Sequence, residues 1–163
     1  LGGEEAGLNK GFGQMMDALE VGRVNVAARG VGIAQRALEL ALRYSQERKT
    51  FGKPIAQHQA IQFKLADMAT KLEAARLVTR KAARMKDAGI RSDLEAGMAK
   101  LIASETGKEV VEDCFRIHGG YGYSKEYEIE RLYRDAPLLL IGEGTSEIQR
   151  TVIGKKLLER NKI

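Results

Sequence analysis

The segment GEGTSEIQR, residues 142–150, places the carboxylate of Glu143 between two glycines, directly after the apolar run Leu138–Ile141. That arrangement can serve a general base. The glycines permit close approach of a ligand and backbone angles that a side chain forbids, while neighbouring leucines could desolvate the carboxylate and raise its pKa toward neutrality. An exposed turn produces the same pattern, so the motif alone leaves both readings open. Elsewhere the chemistry is sparse. Cys114 is the single cysteine; it cannot form an internal disulfide and reads in VVEDCFRI as a small core residue, which favours a reducing compartment. His58 and His118 are the only imidazoles, and no Cys/His pair has metal-ligand spacing, so no metal site is expected.

Taken by themselves, other polar positions have plain readings. Arg48 is a cation near a helix C-terminus, Gly119–Gly120 a helix stop, and Arg23 a charge on a helix surface. Tyr121, Tyr123, Tyr127 and Tyr133 could line a pocket, or pack in the core with their hydroxyls at its rim.

These residues must be held by helices. Residues 1–10, LGGEEAGLNK, are glycine-rich and polar and read as a linker. From there to Arg48 the positions Val24, Ala28, Val31, Gln35, Leu38 and Leu42 recur at steps of three and four, which predicts a helix with that face inward. Gly22 and Gly30 weaken it, so a break or a close helix contact near Gly22 is expected. RKTFGK ends this helix. Pro54 suits the first turn of a second one, with the stripe Ile61, Leu65, Met68, Leu72 and Ala75 running to Asp87 before the Gly89 stop. Ser92 with Glu95 fits a capping box for a third helix, with Met98, Leu101 and Ile102 inward and Gly119–Gly120 closing it. Ser146 with Gln149 can cap a last helix reaching about Arg160. No strand-like alternation and no internal repeat is present. Three long amphipathic helices and a shorter terminal one can bury their stripes only on each other, so the fold expected is all-α, an antiparallel up-down four-helix bundle.

The totals agree. A chain of 163 residues, 44% apolar and 30% charged, with two prolines, has the size and composition of one helical domain covering 1–163. The net charge of +5 would suit an anionic partner, but Lys and Arg alternate with Glu and Asp in ALRYSQERK and GKKLLERNK, so nucleic acid is not expected. No apolar run approaches the ~20 residues that span a bilayer, and no secretory leader is visible. With Leu1 first, the sequence reads as a piece of something longer.

Three segments in this order, ERKTFGKPIAQHQ, RIHGGYGYSKEYEIERLYRDA and GEGTSEIQR, resemble the signature segments of the acyl-CoA dehydrogenase family. The stretch GLNKGFGQMMDALEVGRVNVAARGVGIAQRALELALRYSQERKTFGKP resembles the family's first C-terminal helices almost continuously, so the likeness covers nearly the whole chain. It implies the C-terminal four-helix domain alone, without the N-terminal helical domain and the middle β-domain of such proteins. It further implies FAD-dependent oxidation of acyl-CoA to trans-2-enoyl-CoA, in which a carboxylate removes the α-proton and the β-hydrogen leaves as hydride to FAD. Glu143 matches the family's usual base. Members with the base on the first helix carry it at the position of Gly22, which is glycine here, so the commoner arrangement is implied.

By the same resemblance, Arg48 and Phe51 reach across a subunit interface to the FAD pyrophosphate and adenine side, and Gln59, Gly119, Gly120 and Thr145 are further FAD contacts. Arg116 and Glu147 stand where members usually have glutamine, which makes their FAD contacts the weakest of the set. On the substrate side, Arg23 orients the catalytic carboxylate, Glu20 lies near the acyl-CoA entrance, and Gly144 adjoins the base. The partners implied are acyl-CoA, further copies of the chain in a homo-oligomer (dimer or tetramer), and electron-transferring flavoprotein. The compartment expected is the cytoplasm or, alternatively, the mitochondrial matrix. A noncatalytic oligomerisation or ligand-binding fragment, and an acyl-CoA oxidase on the same scaffold, remain as alternative readings.

Overall fold

A computed structural model of the chain describes Gly3 and residues 7–163. The helices are α1 (Gly11–Glu47), α2 (Gln59–Asp87), α3 (Asp93–His118), α4 (Glu128–Ile141) and α5 (Ser146–Arg160). Most of the linker expected over residues 1–10 lies outside the described residues. Between α1 and α2, the two-residue strands β1 (Lys49–Thr50) and β2 (Lys53–Pro54) form a small antiparallel hairpin followed by one 3-10 turn, Ile55–Gln57. Pro54 therefore closes the hairpin instead of opening α2, which begins at Gln59.

Closeness of approach decides which face of α1 is buried. The covered stripe is Val26, Ala27, Gly30, Ala34, Ala37, Leu38, Ala41 and Ser45, in which Ala27, Gly30, Ala34, Ala37, Ala41 and Ser45 recur at steps of three and four. Of the face expected from the sequence, Leu38 is buried, Val24, Val31 and Gln35 lie at its edge, and Ala28 and Leu42 are exposed. Small residues win because α1 packs on α3 almost backbone to backbone: a Cβ on Gly30 would stand 2.5 Å from the Ala103 carbonyl oxygen, and one on Gly107 would stand 3.2 Å from the Gly30 carbonyl oxygen. The helix accordingly runs unbroken through Gly22 and Gly30; a mid-helix glycine costs about 1 kcal/mol relative to alanine, and tight packing offsets it.

The bundle order follows from cross-helix contacts. Glu20 meets Ser92 at one end of the α1–α3 pair and Tyr44 meets His118 at the other, so these helices run parallel. α2 runs against both, with Arg76 bonded to Gln35, Lys71 to Glu109 and Lys64 to Asp113. The stripe Met68, Leu72 and Ala75 is buried, as expected, with Ile61 and Leu65 at its edge. The fourth place is shared by two helices, both antiparallel to α3. α4 lies along its C-terminal half, with Tyr133 against Phe115 and Leu140 over Lys100; α5 lies along its N-terminal half, with Ile153 against Gly97 and Arg160 on Glu95. The four-helix bundle thus stands, with its last member broken in two. Gly119–Tyr123 form a 3-10 turn, and the second half of the tyrosine-rich segment, from Glu128, joins the apolar run in α4, a helix the sequence reading did not separate.

Neither expected cap forms as read from the sequence. Ser92 does not cap α3 with its side chain; its backbone N and Oγ both donate to Glu20 Oε1, at 3.0 and 2.6 Å, while Glu95 accepts from both terminal nitrogens of Arg160 at 2.6 and 3.0 Å. A carboxylate at the start of α3 complements its dipole, but α1 supplies it. On α5 the cap is Thr145, whose side chain accepts from the Ile148 backbone N at 3.4 Å, and Ser146 is already helical and buried. Inward on α3 are chiefly Ala96, Gly97, Ala99, Lys100, Ala103 and Ser104, with Met98, Leu101 and Ile102 only partly covered.

Candidate active site

The break between α4 and α5 is where Glu143 sits. α4 stops at Ile141, with Gly142 N bonded to Leu138 O at 2.9 Å, and the next two residues take left-handed angles: Glu143 at φ 56° and Gly144 at φ 96°. For a non-glycine residue this conformation costs about 1 kcal/mol or more. The Glu143 side chain lies along α1 at Gly22: a Cβ built there would fall 2.6 Å from Glu143 Oε2. The space beside the carboxylate therefore exists because residue 22 has no side chain.

The apolar run does not bury this carboxylate, contrary to the expectation from its sequence position. Glu143 is exposed, and so are Leu138 and Ile141, at 68% and 63%. The run is helical, so its four residues spread around α4; Leu139 enters the core, while Leu138 and Ile141, three apart, share an outer face. The result is a carboxylate beside uncovered apolar surface.

Two buried side chains grip the turn from either flank. Gln149, fully buried, donates from Nε2 to Glu143 O at 3.0 Å and to Gly144 O at 3.2 Å. Lys100, also fully buried, donates from Nζ to Leu140 O at 3.0 Å, satisfying one of the last carbonyls of α4. Burial lowers the Lys100 pKa, an effect that Glu105 and Glu147 oppose. Sequence reasoning missed both: it gives Gln149 a capping role and singles out no role for Lys100. The available signal for Lys100 was its place among Ala96, Gly97, Ala99, Ala103 and Ser104, a run of small residues suited to a buried seam.

The neighbouring polar residues are arranged differently from expectation. Glu20 is buried and tied to Ser92, with Lys86 Nζ 3.5 Å away, so it anchors the start of α3 while also lining a cleft of about 310 Å³ with Asp17, Lys86 and Arg91. Arg23 is buried, and no hydrogen bond or ion pair joins it to Glu143 among the described residues, so the expected orienting contact is not formed. One residue on from Gly22, it is turned about 100° round α1. It lines a separate cavity of about 250 Å³ with Asp17, Arg91, Asp93, Lys155 and Lys156, and its Nε is buried without a partner. Thr145 caps α5, and Glu147 in its first turn is exposed, 3.6 Å from Arg150. Its own backbone N–H and the Thr145 hydroxyl hold the Glu147 carboxyl below its ordinary pKa.

The other predicted residues gather at the far end. An open cleft of about 530 Å³ is lined by Tyr44, Arg48, Thr50, His118, Gly119 and Gly120, among others. The Arg48 guanidinium lies 5.7 Å from the Tyr121 ring centroid. Gly119 has φ 58°, and a Cβ on either glycine would meet nothing within 4 Å, so bare backbone faces the opening. His118 stacks on Tyr44 with centroids 4.2 Å apart, and its Nδ1 lies 2.8 Å from Cys114 O, which assigns the proton to Nδ1. Burial lowers the His118 pKa, which favours the neutral ring, and pushes the Cys114 thiol up to about 12, which makes it inert. Phe51 is 96% exposed at the hairpin tip with φ 50°, and Gln59 is exposed where α2 begins. Arg116 turns back along α3 to Glu112, Nε to Oε1 at 2.8 Å, and is not part of the cleft wall, since an i, i+4 carboxylate captures it. From Gly22 to Arg48 the helical rise amounts to about 39 Å, so the predicted residues form two groups, one at each end of α1.

No metal-ligating cluster of three or more His, Cys, Asp or Glu occurs among the described residues, and none of their helices is long and apolar enough to cross a membrane. Residues 9–158 match the family model for the acyl-CoA dehydrogenase C-terminal domain. The chain is 54% identical over 152 residues to the 3-(aryl)acrylate reductase of Clostridium sporogenes, covering 93% of this chain and 40% of that protein. It is 51% identical over 153 residues to the caffeyl-CoA reductase-Etf complex subunit CarC of Acetobacterium woodii, covering 94% and 40%. The butyryl-CoA dehydrogenase structure from Megasphaera elsdenii superposes with a TM-score of 0.91 at 46% identity, covering 96% of this chain and 40% of that one. The chain thus spans about two fifths of the length of these relatives.

Proposed function

The chain belongs to the acyl-CoA dehydrogenase C-terminal-domain family, and on that footing we propose that it supplies the catalytic base and part of the cofactor site of an FAD-dependent acyl-CoA dehydrogenase. The observation that carries this reading is the Glu143 carboxylate, presented from a left-handed turn into the space left by Gly22. The reaction removes two hydrogens from neighbouring carbons of an acyl-CoA. Glu143 takes the proton from the carbon next to the thioester, whose carbonyl must be polarised in the same site for so weak an acid to react. Its exposure here, beside Leu138 and Ile141, leaves the substrate and the rest of the protein to exclude water from the carboxylate.

The far cleft fits the pyrophosphate and ribose of FAD: Arg48 offers a fixed guanidinium, Gly119 and Gly120 offer uncovered backbone, and Tyr121 offers an aromatic face. Phe51 and Gln59 flank that cleft, and Gly144, Thr145 and Glu147 flank the base at the other end. Bound FAD supplies the acceptor for the hydride leaving the β-carbon. About 39 Å separates Arg48 from Gly22, beside which Glu143 lies, so one copy does not serve a single FAD with both ends. The Arg48 end of one copy completes the site whose base comes from another, which makes a homo-oligomer, dimer or tetramer, part of the proposal. A relative named as a subunit of an Etf complex supports electron-transferring flavoprotein as the electron partner.

A second direction has specific support. Three relatives carry reductase names, and a base that accepts the α-proton also returns it when the reaction runs backward. In the full-length protein, Glu143→Gln should retain flavin and acyl-CoA binding while turnover falls about 10³-fold in whichever direction is catalysed. Retained turnover would remove Glu143 from the role. Acyl-CoA with an electron acceptor, set against a 2-enoyl-CoA with a reduced donor, decides the direction.

A further inference from the structure

We propose that Gln149 and Lys100 are positioning residues for Glu143: they clamp the turn that carries it and never touch the substrate. This rests on Glu143 being the base. The Gln149 amide spends both its hydrogens on consecutive carbonyls, Glu143 O at 3.0 Å and Gly144 O at 3.2 Å, which belong to the two residues in left-handed conformation. Those acceptors fix the amide orientation, because a flipped group would set its own oxygen against two others. Its Oε1 is left buried with no partner. A buried acceptor without a donor costs about 1–3 kcal/mol, an expense that packing alone gives no reason to keep. Lys100 holds the other flank through Leu140 O, reaching it from the interior of α3.

The fit around the clamp is close. A Cβ on Gly144 would stand 2.7 Å from Gln149 Nε2, so glycine at 144 serves the clamp as well as its own φ of 96°. The Gln149 side chain in turn lies against Gly97 of α3, where a Cβ would meet Oε1 at 3.5 Å. Glu143 itself is exposed, and no hydrogen bond to its carboxylate fixes it among the described residues. Its backbone is therefore the part under control: α3 and α5 set where the Cα sits, and the Gly22 gap receives what extends from it.

The test uses the full-length protein and compares Glu143→Gln, Gln149→Leu and Lys100→Met. Gln149→Leu removes both donors at similar volume. The expected result is a turnover per bound flavin about 100-fold lower, because displacement of a reacting group by an ångström costs that much, with KM, flavin content and melting temperature close to wild type. Lys100→Met is read in the same way and stands in if Gln149→Leu does not fold. A merely structural role predicts the opposite split, with lower melting temperature and flavin content but unchanged turnover per bound flavin, and that result overturns the clamp. A background with the base moved to α1, Gly22→Glu with Glu143→Gly, sharpens the contrast, since Gln149→Leu should there cost little; an equal loss in both backgrounds also overturns the clamp. Retained turnover in Glu143→Gln defeats the base reading, whereas lost turnover there with normal turnover in Gln149→Leu and Lys100→Met defeats only the clamp.

Discussion

The two ends of the bundle are made of different materials. Around the Arg48 end the core holds Leu38, Ile55, Met68, Leu72, Val110 and Ile129; toward the Glu143 end it holds the alanines Ala27, Ala75, Ala82, Ala99 and Ala103. That end also holds half of the buried polar side chains of the described residues, Glu20, Arg23, Ser92, Lys100, Ser146 and Gln149. Burying a large aliphatic side chain contributes about 1.5–3 kcal/mol, and alanine far less. The Glu143 end therefore forgoes hydrophobic stabilisation in exchange for helices close enough to clamp a turn. The opposite end, rich in aliphatics, anchors the bundle; it buries Ser45 and His118 but leaves Arg48 and Gln59 exposed. Precision and adhesion are segregated along one set of helices.

Moving the base within its own end is the strongest challenge to that contrast. Glu143→Gly should lower kcat of the full-length protein about 10³-fold, and adding Gly22→Glu should restore a measurable part of it, since a side chain from 22 enters the same space. No recovery would mean the two positions do not share a working point. Breaking the connection between the ends comes next. Gly30→Val drives a side chain into the Ala103 carbonyl and should destabilise the fold by about 3 kcal/mol, seen as a lower denaturation midpoint, with base and cofactor functions declining together. A change confined to the far end should be separable: Arg48→Ala should weaken flavin retention about tenfold by spectrophotometric titration while helical circular dichroism is unchanged. The smallest effect concerns the Glu95–Arg160 pair. Hydrogen bonds from Arg160 hold the Glu95 pKa below its ordinary value, so the stability this pair adds is present above the ordinary carboxylate pKa and lost as pH falls through the depressed one. Arg160→Ala should lower the denaturation midpoint slightly at pH 7, and the gap from wild type should close as pH falls below the ordinary carboxylate range.

Much of this was legible in the sequence because it depends on local rules. The extents of α1 and α3, the stops at Gly89 and Gly119, and the inward stripe of α2 follow from periodicity and glycine placement. The motif around Glu143 marked a residue that lies in a left-handed turn beside Gly22. What escaped was decided by partners distant in sequence. Ser92 and Glu95 have the spacing of a capping box, yet Glu20 and Arg160, 72 and 65 positions away, take their bonding capacity. The buried face of α1 was misplaced because a hydrophobicity pattern favours large side chains, whereas parallel packing on α3 selects small ones. Arg23 adjoins Gly22 in the chain but faces another cavity, a matter of helical rotation that spacing to a remote carboxylate cannot encode.

Because Gly30 and Gly107 lock α1 to α3, the stretch from Gly22 to Arg48 works as a strut of set length. One extra residue inserted along it would lengthen it by about 1.5 Å and swing one terminus about 100° about the axis, carrying every attached group with it. Exchanges of outward-facing residues there should be tolerated readily, while insertions and deletions should not: the stretch is constrained in its count more than in its content.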